Sequence, residues 1–170
     1  MGYKDGASGA ESLVDETFIA KKIVIEQGEL LPNPAFLESS SAKLVFFPTS
    51  INESLFDEID GIFHRLQLDA LAFVRSEACV WSLSQDFIGC LYSFVIENVT
   101  EDIVVSSLDG SVILGISSFE FSFLMYSNDM VGRWLSPYLG WYREAISDYS
   151  SEWKKREQCK IAMYAEHLVN

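Results

Sequence analysis

The stretch Ile103–Met125, IVVSSLDGSVILGISSFEFSFLM, decides how this chain folds. Ile103–Leu108 and Ser111–Ile116 are runs rich in β-branched residues on either side of Asp109-Gly110, a dipeptide suited to the type I′ turn of a two-residue hairpin. Further on, Phe119, Phe121, Phe123 and Met125 alternate with Glu120 and Ser122. That period of two predicts a strand with one face on a core and the other in water. Three such runs in succession, joined by short connections, read as an antiparallel meander.

Working outward, Ala70–Val74 and Ala78–Leu83 are further strand candidates around Arg75-Ser76-Glu77, and Phe87–Ile96 reads as a third, at a length a helix also accommodates. Lys21–Glu26 and Lys43–Phe47 are short strand candidates nearer the start. Between them and the meander lies the clearest helix signal. Ser50 and Glu53 have the spacing of a capping box, and Leu55, Ile59, Ile62, Phe63 and Leu66 follow at helical intervals. Glu53, Asp57, Glu58 and Asp60 fall away from that apolar stripe, so a helix is expected near 52–66. Ser8 and Glu11 form a second capping-box pattern, while residues 1–10 are rich in Gly, Ser and Ala and are expected to be flexible. Downstream, Ser136 before Pro137 reads as a helix start with proline at its first position. Trp134, Tyr138, Trp141, Tyr142, Ile146, Tyr149 and Trp153 then recur every three or four residues, so 131–170 is expected to be mainly helical. The fold class is therefore α+β: one domain over 1–170, with an antiparallel sheet of about five or six strands packed by a central helix and C-terminal helices.

Charge narrows what such a domain can bind. The 170 residues carry 25 acids against 12 Lys and Arg, a net charge of −13. Between Arg75 and Arg133 there is no Lys, Arg or His, yet the interval holds Glu77, Asp86, Glu97, Glu101, Asp102, Asp109, Glu120 and Asp129. Nucleic acids and anionic membrane surfaces are recognised through Lys and Arg, so neither is an expected partner. The longest apolar runs, such as Leu44–Phe47, are far too short to span a bilayer. Cys79, Cys90 and Cys159 show no metal or redox spacing and fit a reducing, cytoplasmic setting.

Catalytic chemistry leaves no legible mark. His64 and His167 are the only histidines; His64 borders the apolar stripe of the central helix, and no serine lies in a Gly-x-Ser-x-Gly elbow. Gly110, Gly115, Gly132 and Gly140 match neither a phosphate-binding loop nor a dinucleotide fingerprint, so no cofactor is expected. The carboxylates Glu97, Glu101 and Asp102 lack the ligand number and turn glycine of a calcium loop, so no metal is expected either.

What remains is a binding surface. Asp86, Glu97, Glu101, Asp102, Glu120 and Asp129 are the candidate carboxylates for docking a basic protein, with Trp134 and Tyr138 as candidate aromatic anchors, since Trp and Tyr dominate interface hot spots. A small, acidic, aromatic-rich and motif-free chain is similar in general character to bacterial immunity proteins, without a motif that identifies a family. The leading expectation is thus an inhibitor or immunity-type protein whose basic partner is a nuclease or similar toxin, captured with electrostatic steering. A chaperone or adaptor for a secreted protein, or a small enzyme using carboxylates alone, are the alternatives.

Overall fold

Alternation puts every second side chain of the meander on the same side, and here both sides are covered. The computed structural model describes residues 21–26, 29–48, 53–68, 70–74, 80–83, 91–97, 100, 102–116, 121–137 and 164. In chain order these form β1 (Ile23–Glu26), β2 (Glu29–Pro32), α1 (Pro34–Ser39), β3 (Lys43–Pro48), α2 (Glu53–Arg65), β4 (Ala70–Val74), β5 (Val80–Leu83), α3 (Leu91–Glu97), β6 (Ile103–Ser107), β7 (Val112–Ile116), β8 (Phe121–Tyr126) and a helical stretch, α4, over 129–137. Strands β1 and β2 pair with each other. The remaining strands make one sheet in the order β3-β8-β7-β6-β4-β5, and every pairing is antiparallel.

Register sorts the side chains into two sets. Val105, Leu114, Leu124 and Val45 lie opposite one another across four strands, and they join a core with Leu55, Phe56, Ile59, Ile62 and Phe63 of α2 and Leu91, Phe94 and Val95 of α3. Val104, Gly115, Phe123 and Phe46 form the neighbouring row, and its apolar members face the other way, against Ile23, Leu30 and Leu37 of β1, β2 and α1. The sheet is thus a middle layer between helices and a small hairpin-plus-helix layer. Ser122, expected in water, is 1% exposed because its face lies on the helix side. The second face of β8 is therefore as buried as the first.

Three local readings change. Leu91–Glu97 is helical rather than extended, with Leu91, Phe94 and Val95 buried at helical spacing. The first amide of this helix, that of Leu91, donates to the Asp60 carboxylate at 3.1 Å, so α2 caps α3. Asp60 is accordingly buried between the helices instead of lying on the solvated side of α2. The β6–β7 hairpin is present, but its turn is not type I′. Ser106 pairs with Ile113, Gly110 N–H donates to the Ser107 carbonyl at 2.9 Å, and Gly110 has φ 66° while Asp109 keeps a negative φ. The reason is the Asp109 side chain, which accepts from the Ser107 hydroxyl at 2.6 Å and the Ser111 amide at 2.9 Å. This local bonding holds Asp109 in an ordinary turn conformation and leaves the left-handed position to glycine alone. Finally, Asn128 starts α4, its side chain accepting from Met130 N–H at 2.9 Å. Ser136 and Pro137 are therefore already helical, several residues into that stretch rather than at its beginning.

At its other end α2 closes with Gln67 at φ 53°, Leu68 N–H on the Phe63 carbonyl and Gln67 N–H on the His64 carbonyl, a Schellman ending that usually takes glycine. The expected core residues Leu55, Ile59, Phe63 and Phe123 are all buried. Ser50, Phe119 and Trp153 lie outside the described residues, as does the first expected helix.

Candidate interaction surface

A carboxylate is available to a partner when it is exposed and no cation of its own chain already holds it. That criterion divides the described acids. Asp129, on the first turn of α4, is exposed but receives a hydrogen bond from the Lys43 ammonium at 2.7 Å. The Lys43 hydrogen bond and charge hold the Asp129 carboxyl below its ordinary pKa, and Arg133 adds to the pull. Glu58 is bound by Arg65, whose guanidinium also lies over the Trp134 ring at 4.7 Å. Asp109 sits in the β6–β7 turn. Burial raises its pKa, but the hydrogen bonds from Ser107 and Ser111 outweigh this and leave the pKa lowered. Lys22 is nearby, 9% exposed, with its ammonium 3.3 Å from the Gly110 carbonyl and 5.2 Å from the Phe36 ring centre. Burial lowers the Lys22 pKa, and the Asp109 charge partly opposes this.

Glu38 of α1, Glu53 and Asp57 of α2 and Glu97 of α3 are different: all four are exposed, and no ion pair holds them among the described residues. Glu53, Asp57 and Glu97 belong to one layer, since the tilted rings of Phe56 and Tyr92 meet at 6.4 Å between the two helices and Asp60 caps α3. Ile96, beside Glu97, is 43% exposed, an apolar side chain on the same short helix. A helix pair with unneutralised carboxylates and an exposed aliphatic group can dock a cationic surface, with charge setting the encounter rate and the apolar group adding contact area.

Of the eight residues singled out from sequence, the four that lie among the described residues, Glu97, Asp102, Asp129 and Trp134, do not converge. Glu97 is on the helix layer. Asp102 precedes β6 and is 3% exposed, so its carboxylate is interior rather than a surface contact. Asp129 and Trp134 are on α4, which begins beyond Tyr126, whereas Asp102 adjoins Ile103 at the opposite end of the sheet. Strand β6 alone separates these ends by roughly 13 Å at about 3.3 Å per residue. Asp86, Glu101, Glu120 and Tyr138 lie outside the described residues. Glu53 and Asp57 were legible as the solvated side of an amphipathic helix but carried no further mark. The neutralising role of Lys43 was not legible, because Lys43 meets Asp129 across 86 residues of chain.

Among the described residues no group of three or more His, Cys, Asp or Glu is placed to hold a metal ion, and no helix is long and apolar enough to cross a membrane. His64 is exposed on α2. No protein-family model matches the chain, and neither the curated proteins nor the solved structures show a significant match to it.

Proposed function

We propose that this chain is an acidic cytoplasmic binding protein of the inhibitor or immunity type, which neutralises a basic protein such as a nuclease toxin by covering its cationic surface. The observation that carries this reading is the charge distribution: a net charge of −13, with a cation-free interval from 76 to 132. Exposed Glu53, Asp57 and Glu97, free of internal ion pairs among the described residues, support it locally. A cationic cleft built to hold phosphate would meet in these carboxylates a competitor of the same sign as its substrate.

The test is affinity capture from the native organism, followed by association kinetics with the purified captured protein. The reading requires that protein to be basic, its toxicity to be relieved by this chain, and the association rate to fall steeply as salt rises. Charge reversal at Glu53, Asp57 and Glu97 should then slow association at least tenfold at low salt and flatten the salt dependence. A captured partner without net positive charge, or a rate indifferent to salt, overturns the proposal.

A further inference from the structure

The layer on the hairpin side is hydrogen-bonded within itself, and its two strands form a sheet separate from the six-stranded sheet that it covers. Asn33 is the centre of the internal wiring. Its backbone N–H donates to the Lys22 carbonyl at 2.9 Å and its side-chain amide to the Lys21 carbonyl at 2.8 Å, which closes the open end of the β1–β2 pair. Its side-chain oxygen accepts from Ala35 N–H at 3.0 Å, which caps α1 and joins that helix to the hairpin. With Pro34 at its first position, α1 follows β2 after a single residue, and the 21–40 segment forms one unit.

Between this unit and the six-stranded sheet, the described residues provide no backbone hydrogen bond. Among the described residues, the attachment includes apolar packing and two polar contacts. One is Lys22 on the Gly110 carbonyl, 88 residues away in sequence. The other is Tyr164, whose hydroxyl donates to the Pro32 carbonyl at 2.8 Å while its ring packs 5.4 Å from Phe46 of β3. Tyr164 thus touches both the end of β2 and the edge strand of the sheet. Beneath the layer lie Leu44, Phe46, Ile113, Phe123 and Met125.

We propose that residues 21–40 form a flap that opens as a unit while the six-stranded sheet stays paired, with Tyr164 as its main clasp, so that the apolar face under it is gated. A two-stranded pair is marginal by itself and holds its place only by what it packs on. Segments with few fastening contacts open below the free energy of global unfolding. The strands beneath are joined to neighbours on both sides at β8, β7 and β6 and open only with the whole sheet.

Native-state hydrogen exchange on the full chain tests this. In the wild type, the amides of β1 and β2 should exchange at least tenfold faster than those of β7 and β8. Tyr164→Phe keeps the ring on Phe46 and removes the hydroxyl, and it should speed β1 and β2 exchange about tenfold further while leaving β7 and β8 unchanged. Equal rates for the two sets in the wild type overturn the flap. A Tyr164→Phe variant that leaves β1 and β2 unmoved, or shifts both sets alike, overturns the clasp. The wild-type comparison decides the flap even if the variant fails to fold.

Discussion

Along β3, β6, β7 and β8 the two faces of the sheet are equally dry and differently built. On one side, the thirteen-residue helix α2 lays Leu55, Ile59, Ile62 and Phe63 along the strands, each position repeating the helical period. On the other, two four-residue strands and a six-residue helix supply Ile23, Leu30 and Leu37, with polar contacts made by Asn33, Lys22 and Tyr164. A face covered by one long amphipathic element carries its own local preference for structure. A face covered by short pieces depends on contacts distant in sequence, and such a cover is the one expected to give first.

The largest expected effect comes from the residue that the weaker cover leans on. Phe123 is 1% exposed, and its ring lies across Gly115 of the neighbouring strand, where an added Cβ would come within 2.3 Å of it. It also meets Phe46 edge-on at 6.3 Å. Phe123→Ala should cost about 3–5 kcal/mol in a urea titration, because it leaves a cavity beside a glycine that cannot fill it. A loss below about 1 kcal/mol would mean that the hairpin side contributes little core, and the faces would then be unequal in burial energy as well as in construction.

This contrast also explains which parts could be read from the residues alone. The α2 helix was legible because its period is local, and the β6–β7 pair because turn residues sit between two apolar runs. The cover over Phe123 was not. Ile23 and Leu30 belong to strands too short to announce a layer, and alternation at Phe123 and Leu124 cannot say whether the second face meets water or a helix. The turn at Asp109 departs from the dipeptide preference because its side-chain hydrogen bonds compete with it. At the candidate surface, Glu97 reads as exposed and is so, while Asp102 reads the same way and is interior. Net charge says how many carboxylates exist; burial and cations brought in from elsewhere decide which remain available.

A smaller effect should separate the two helices on the stronger face. Helix α3 has only seven residues, and the Leu91 N–H depends on Asp60 of α2 for its acceptor. Asp60→Ala should cost about 0.5–2 kcal/mol, the range for losing a helix cap, with Asp60→Asn recovering part of it. Exchange at α3 amides should accelerate more than exchange along α2. Uniform acceleration of both helices would show that α3 is held by packing of Phe94 and Val95 and that the cap adds little.

The smallest effect concerns the exposed ion pair at the end of the sheet, and it has a definite sign. The hydrogen bond from Lys43 holds the Asp129 carboxyl below its ordinary pKa. Folded Asp129 therefore releases its proton more readily than unfolded Asp129. The resulting stabilisation is present above the unfolded value of about 3.9 and is lost as pH falls through the lower folded value. Because the pair is solvent-exposed, salt and water screen it, so the change in melting temperature on replacing Lys43 should be slight. The carboxyl titration itself is the sharper reading. In Lys43→Met, the Asp129 midpoint should rise towards the ordinary carboxylate value, while that of Asp109, whose pKa is lowered by Ser107 and Ser111 against the opposing effect of burial, should stay in place. If both midpoints move, the two turns share one electrostatic environment and the separation between the Lys43 and Lys22 sites fails. If neither moves, Lys43 does not hold Asp129 in solution, and that carboxylate joins Glu53, Asp57 and Glu97 among the groups open to a cationic partner.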